Sequence, residues 1–227
     1  MRGASHAEAW RLTFDELVHR RIERTQIPVA SFSVGVDYPR LIHGKARVTA
    51  VHVFLASRGV RLPEGSADDP PGVETVNGLA NRKSQVLMEL LERGSARAFQ
   101  GARLYLELAR DAAMRCAVVS GSTSTQVLLE RAHLATLIDA CVDGNTARSE
   151  HLRRKPEPDM LLAACRHLGV GPERTVVFET TAEGIDAARA GGFEMVVAVE
   201  RAGQLRGHDA DLAVSDLSEL LERQLVG

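Results

Sequence analysis

Two hydrophobic periodicities divide the chain near residue 98. Before that point apolar residues recur at helical spacing. In "SHAEAWRLTFDELVHRRIER" (5–24), Ala9, Leu12, Leu17 and Ile22 fall roughly on one face, and Ser5 can cap the start. "RVTAVHVFLASRGV" (47–60) predicts a second helix ended by Gly59, and "ETVNGLANRKSQVLMELLERG" (74–94) a third ended by Gly94. Between them "LPEGSADDPPG" (62–72) reads as a loop from its Pro, Gly and Asp content. The one strand-like run in this half is "VASFSVGV" (29–36).

After residue 98 the pattern alternates. Short β-branched runs, "RCAVVS" (115–120), "IDACVDG" (138–144), "RTVVFE" (174–179), "FEMVVAV" (193–199) and "ADLAVSDL" (210–217), are separated by helical patterns. These helical segments are "TSTQVLLERAHL", "EPDMLLAACRHLG" and "AEGIDAARAGG", and "ARLYLELARDAA" precedes the first strand. Such alternation predicts βαβ units and a parallel sheet. The fold class is therefore α/β, a Rossmann-like parallel core over residues 99–227, with a helical region over 1–98.

Parallel sheets of this kind bind ligands at the carboxyl ends of their strands, so the residues there carry the candidate chemistry. Ser120-Gly121-Ser122-Thr123 follows the first strand. It reads either as a phosphate cradle, with a hydroxyl and free helix N–H groups, or as a simple N-cap by Ser122 or Thr123. Lys155 stands just before a helix opened by Pro156 and Pro158. A lysine at the positive end of a helix dipole becomes favourable when an anion is shared there. Glu179 ends "TVVFE" and reads either as a ligand for a divalent cation or as a structural carboxylate capping the next helix. Together a hydroxyl, an ammonium and a carboxylate suggest a site for phosphate and Mg²⁺. No G-x-G-x-x-G links a strand to a helix and no P-loop pattern occurs, which disfavours a dinucleotide site.

Composition narrows the class further. The chain has 227 residues, 44% hydrophobic and 26% charged, with a net charge of −2. That balance gives no global sign of a nucleic-acid or anionic-membrane partner. The basic run "RSEHLRRK" (148–155) is local and reads as a solvated loop or as a phosphate-facing one. Cys116, Cys141 and Cys165 form no C-x-x-C and read as small core residues in a reducing compartment. No apolar run reaches the roughly 18 residues of a membrane span. "MRGASHAEAW" has no signal-peptide core, and a cytoplasmic setting is expected.

The ordered set "VVSGST", "KPEPD" and "VVFE…AEGI…AARAGGF" resembles motifs two, three and four of the haloacid dehalogenase superfamily. The nearest likeness is to its β-phosphoglucomutase-like branch. "HAEAW", "DYPRLIHGKAR", "FLASRGVRLPEG", "DDPPGVETVNGLANRKS" and "VDG" resemble the helical cap and its junctions, so the likeness runs from about His6 onward. It implies a HAD-like α/β core, a helical cap, and Mg²⁺-dependent phosphoryl transfer through an aspartyl-phosphate on phosphorylated sugars. It also implies roles. Ser120, with Ser122 beside it, would hold the transferred phosphoryl group, Lys155 would neutralise charge, and Glu179 would stand near Mg²⁺. Arg47 would grip a distal phosphate, Arg82 and Lys83 would contact substrate, and His6 would lie near the cap hinge.

Two departures from the family pattern carry consequences. The family opens on a central strand ending in Asp-x-Asp, which supplies nucleophile and general acid/base. No such strand lies before His6, and "FDEL" (14–17) sits inside a helix. Motif four normally has Glu-Asp, and here Thr180 follows Glu179. The expectation is weak or absent Mg²⁺ binding and no covalent catalysis by this chain alone; either "VASFSVGV" fills the place of the missing strand or the native chain begins further upstream. The alternative is a non-catalytic sugar-phosphate-binding or interaction domain. Unpaired inner strand edges would also favour self-association.

Overall fold

The computed structural model describes residues 6–92, 98–200, 205 and 209–224. The chain forms two compact units, Met1–Arg97 and Ala98–Gly227.

The first unit is helical. Its elements are α1 (His6–Thr25), a π-helical turn at Tyr38–Ile42, α2 (Arg47–Ser57) and α3 (Val76–Glu92). The face of α1 turned to the core carries Trp10, Phe14, Leu17 and Val18, a helical spacing that stacks side chains in one stripe. Leu12 and Ile22, expected on that face, are only partly buried. The aromatic rings set the stripe: Phe14 stacks on Phe54 of α2 with centroids 3.8 Å apart and on Trp10 at 4.9 Å, and Phe32 closes the cluster. Ser5 and Gly94, the expected helix boundaries, lie outside the described residues.

Residues 29–36 form no strand. Their polar backbone groups find side-chain partners in place of a ladder. Arg58 donates to the carbonyls of Ala30 (3.0 Å) and Ser31 (3.1 Å), and Asp37 accepts from Ser33 N–H (2.8 Å). Arg58 and Asp37 pair at 2.5 Å with little exposure, and Arg58 also lies over the Phe54 ring.

The second unit alternates as expected. Its order is α4 (Gln100–Asp111), β1 (Ala117–Val119), α5 (Thr125–Arg131), β2 (Ala140–Val142), α6 (Gly144–Ser149), α7 (Asp159–Leu168), β3 (Val176–Glu179), α8 (Ala182–Ala190), β4 (Met195–Val199), β5 (Leu212–Val214) and α9 (Ser218–Gln224). All pairing is parallel. β1 pairs with β2, Val118 opposite Cys141, and the order β3-β4-β5 sets Phe178 opposite Val197 and Ala198 opposite Ala213. Among the described residues nothing pairs with the other edges of β1 and β3, so the sheet is in two parts.

Helix α7 joins those parts. Leu161 and Cys165 pack with Val177, Ile185 and Val196 beside β3 and β4. Met160, Ala163 and Ala164, one position over on the helix, pack with Val142 and Ala147 beside β2 and α6. Val119 of β1 touches both clusters. Tyr105 of α4 meets the Phe178 ring of β3 edge-on at 5.2 Å. The three cysteines are free thiols. Among the described residues no helix is long and apolar enough to cross a membrane.

Candidate phosphate site

Parallel strands deliver their last residues to one end of each sheet, and the candidate residues of the second unit gather there. Ser120 follows β1, and its N–H bonds the carbonyl of Val142 at the end of β2 (2.9 Å). Ser120 Oγ accepts from Ser122 N–H (3.2 Å), and Ser122 Oγ accepts from Ser124 N–H (3.2 Å). The residue at the N-cap of α5 is Ser124, without a side-chain cap bond, so the simple N-cap reading of Ser122 or Thr123 does not hold. The loop instead repeats a serine turn twice.

Its carbonyls are tied from behind. Gly121 C=O accepts from Arg154 Nη1 (3.0 Å), and Ser122 C=O accepts from Gly144 N–H (3.0 Å) and Thr125 Oγ1 (3.0 Å). Thr123 C=O accepts from Asn145 Nδ2 (3.1 Å). Asp143, at the end of β2, caps α6 by accepting from the N–H groups of Asn145 (2.8 Å) and Thr146 (3.1 Å).

The anion that Lys155 meets in the free chain is Glu179. The Lys155 ammonium and Glu179 Oε1 form an ion pair, with Glu179 buried and Lys155 partly so. Glu179 Oε2 accepts from Thr180 N–H (3.3 Å). The cap of α8 is Thr181, whose hydroxyl accepts from Gly184 N–H (3.1 Å), so Glu179 is not the capping residue. Glu179 lies against the first turn of α8, where the helix dipole favours a carboxylate. This approach requires glycine at 184, since a Cβ there would overlap the Glu179 carboxylate. Adjacent residues of one loop thus touch both strand ends: Arg154 the Ser120–Ser122 loop, and Lys155 the Glu179 end of β3.

The donor set here is poor for Mg²⁺, which asks for several hard oxygens in near-octahedral order. Glu179 is engaged with Lys155, Asp143 is engaged in capping α6, and Thr180 offers one exposed hydroxyl. Among the described residues no three His, Cys, Asp or Glu converge. The residues present do not fit the ion.

The candidates in the helical unit also gather. Lys83 of α3 is 2% exposed, with its Nζ 2.7 Å from His6 Nδ1 and 5.6 Å from the Trp10 ring centroid. Burial, with the nearby Arg47 charge adding to it, lowers the Lys83 pKa to about 7. Burial first, then Lys83 and His43, lowers that of His6 to about 3, so His6 is neutral. Arg47, at the start of α2, donates to Ser84 Oγ one position beyond Lys83. Arg82 points elsewhere. It pairs with Glu16 at 3.0 Å and Glu89 at 3.2 Å, bracing α1 against α3.

Sequence reasoning missed the role of Trp10 beside Lys83, the close approach at Gly184, and the loop ties made by Arg154 and Asn145. Only Arg154 had a signal, its place in the basic run 148–155.

The sequence profile of haloacid dehalogenase-like hydrolases matches residues 4–192. The chain is 43% identical over 222 residues to a protein of Mycobacterium bovis named β-phosphoglucomutase, covering 95% of this chain and 85% of that one. Among solved structures, CbbY of Rhodobacter sphaeroides in complex with phosphate superposes with a TM-score of 0.70 at 24% identity, covering 95% of this chain and 88% of the other. A β-phosphoglucomutase of Clostridium difficile superposes with a TM-score of 0.72 at 16% identity, covering 98% and 90%. At such identity these two likenesses establish the fold.

Proposed function

This chain belongs to the haloacid dehalogenase-like hydrolases, and we propose that its second unit holds the phosphate of a phosphorylated sugar or other small phosphate ester. Ser120 and Ser122 would receive the phosphoryl oxygens and Lys155 would neutralise their charge. The observation behind this reading is the bridge made by two consecutive residues, Arg154 on the Ser120 loop and Lys155 on Glu179. It brings a hydroxyl and a cation to the strand ends of a parallel core. The 43% identical relative bears the name of a sugar-phosphate mutase, which favours a hexose phosphate.

Within the helical unit, Arg47, Lys83 and His6 form a separate group of candidate contacts for a phosphorylated sugar, and Arg82, paired with Glu16 and Glu89, braces the helices that carry Lys83 and His6. Family chemistry is phosphoryl transfer through an aspartyl-phosphate, and its members generally use Mg²⁺. The carboxylates at the strand ends, Asp143 and Glu179, are engaged in capping α6 and in pairing with Lys155, and the donors around Glu179 do not fit the metal. We therefore propose that this sequence by itself binds phosphate esters without turning them over. A soluble, cytoplasmic setting and self-association through the edges of β1 and β3 that are unpaired among the described residues belong to the same reading.

The test titrates hexose phosphates into the purified chain by calorimetry and assays p-nitrophenyl phosphate with added Mg²⁺. Saturable binding without turnover is the expected result. Turnover abolished by Ser120→Ala would refute the non-catalytic part. Absence of any binding would refute the phosphate site and leave an interaction role.

A further inference from the structure

Arg153 and Arg154 are neighbours in one loop with different commitments. Arg153 is engaged by Asp159 through two side-chain bonds of 3.0 and 2.9 Å, and also by Glu157. Arg154 makes no ion pair among the described residues, and its guanidinium instead reaches back to one backbone carbonyl, that of Gly121. An arginine N–H donated to a glycine carbonyl favours one orientation of that peptide plane.

The plane matters because of what lies on its other side. In a trans peptide the carbonyl and the following N–H point in opposite directions. Holding Gly121 C=O toward Arg154 turns Ser122 N–H the other way, where it donates to Ser120 Oγ. Ser120 Oγ then accepts from within the loop, so its own hydrogen is left to donate outward. We infer that Arg154 is a positioning residue for the phosphate site, acting through the Gly121–Ser122 peptide to set the donor direction of the Ser120 hydroxyl. The inference rests on the proposed phosphate site and adds to it a residue outside the three motifs. Glycine at 121 fits this role: a Cβ there would come within 3.2 Å of Arg154 Nη1 and crowd the contact.

A guanidinium near a phosphate site could instead act only by its charge, and a double-mutant cycle separates the two. The probe is inorganic phosphate, titrated into the full chain and into Arg154→Met, Arg154→Lys, Ser120→Ala and the Ser120→Ala/Arg154→Met pair. Positioning predicts that Arg154→Met weakens phosphate binding roughly five- to tenfold, the loss of about one hydrogen bond. In the Ser120→Ala background the same change should cost less than twofold, because the group it orients is gone. Arg154→Lys, which keeps the charge but not the planar fork, should resemble Arg154→Met more than the unaltered chain. The Arg154 changes should leave the urea midpoint of each background unchanged, as befits an exposed side chain. An equal loss in both backgrounds, or full rescue by lysine, would overturn positioning in favour of charge. Unchanged affinity of Arg154→Met would overturn the inference while leaving the phosphate site standing. No phosphate binding by the unaltered chain would overturn both.

Discussion

Lys83 offers the sharpest quantitative test of the helical unit. Its ammonium is buried beside neutral His6 and under the Trp10 ring, and its pKa falls from 10.5 to about 7. The unfolded chain keeps the proton up to its ordinary pKa, and the folded chain releases it near neutrality. Between those values the unfolded state holds more protons, so stability rises with pH. The contribution is complete above about pH 10.5 and is lost as pH falls to about 7. Each pKa unit corresponds to about 1.4 kcal/mol, so the full window is worth on the order of 5 kcal/mol. Lys83→Met keeps the unbranched stem and removes the charge. Urea unfolding would be followed by the fluorescence of Trp10, the chain's one tryptophan, which lies in the same core. Subtracting one protein's curve from the other's cancels the titrating groups that do not interact with Lys83; His6, which does, has its pKa lowered to about 3, well below the window. The variant should be more stable at about pH 7 by several kcal/mol, with the advantage shrinking by up to about 1.4 kcal/mol per pH unit toward pH 10. Parallel stability curves across that range would show that Lys83 is not held in a desolvated site.

Three further perturbations probe other parts of the structure. Gly184→Ala drives a Cβ into the Glu179 carboxylate, and should cost about 1–3 kcal/mol by thermal unfolding, as overpacking does; an unchanged melting temperature would deny the close approach. Phe14→Ala removes the ring shared by Trp10, Phe32 and Phe54 and should cost about 3–5 kcal/mol in urea, with Trp10 emission shifting as its stacking partner goes; a loss under about 1 kcal/mol would contradict its central place in the core. Thr180→Asp adds a second carboxylate beside Glu179, and calorimetry should detect tighter Mg²⁺ binding than in the unaltered chain; equal affinity would mean that Thr180 is not what limits the metal site.

The core was legible because its strands are short β-branched runs whose ends coincide with serine, aspartate and glutamate. β1, β2, β3 and β4 lie where that pattern puts them, and a likeness spread over most of the chain supplied the rest. What was not legible depends on partners distant in sequence. "VASFSVGV" alternates apolar and polar residues as an edge strand would, yet Arg58 and Asp37 take up its backbone groups. Lys83 reads as part of a polar "NRKS" stretch, and its burial is set by His6 and Trp10 on another helix. Arg153 and Arg154 are the same residue type in one basic run. One is fixed by a carboxylate six positions on, the other by a carbonyl thirty-three positions back.

Those placements give the candidate site a definite electrostatic character. Lys155 is already neutralised by Glu179, in a pair where the carboxylate is buried. Breaking a buried pair leaves a desolvated charge, which is costly. A phosphate bound as proposed therefore could not simply take Lys155 from Glu179. It must share the ammonium, leaving two anions beside one cation, and that repulsion has to be offset by other donors. In the proposed site the Ser120 hydroxyl would be such a donor, so its orientation, and the peptide plane proposed to set it, would bear on affinity more than a surface hydroxyl would. A second cation close to Glu179 would relieve the same repulsion. In this sequence the position that would help to hold one carries the neutral side chain of Thr180, so the burden falls on Ser120 and Lys155.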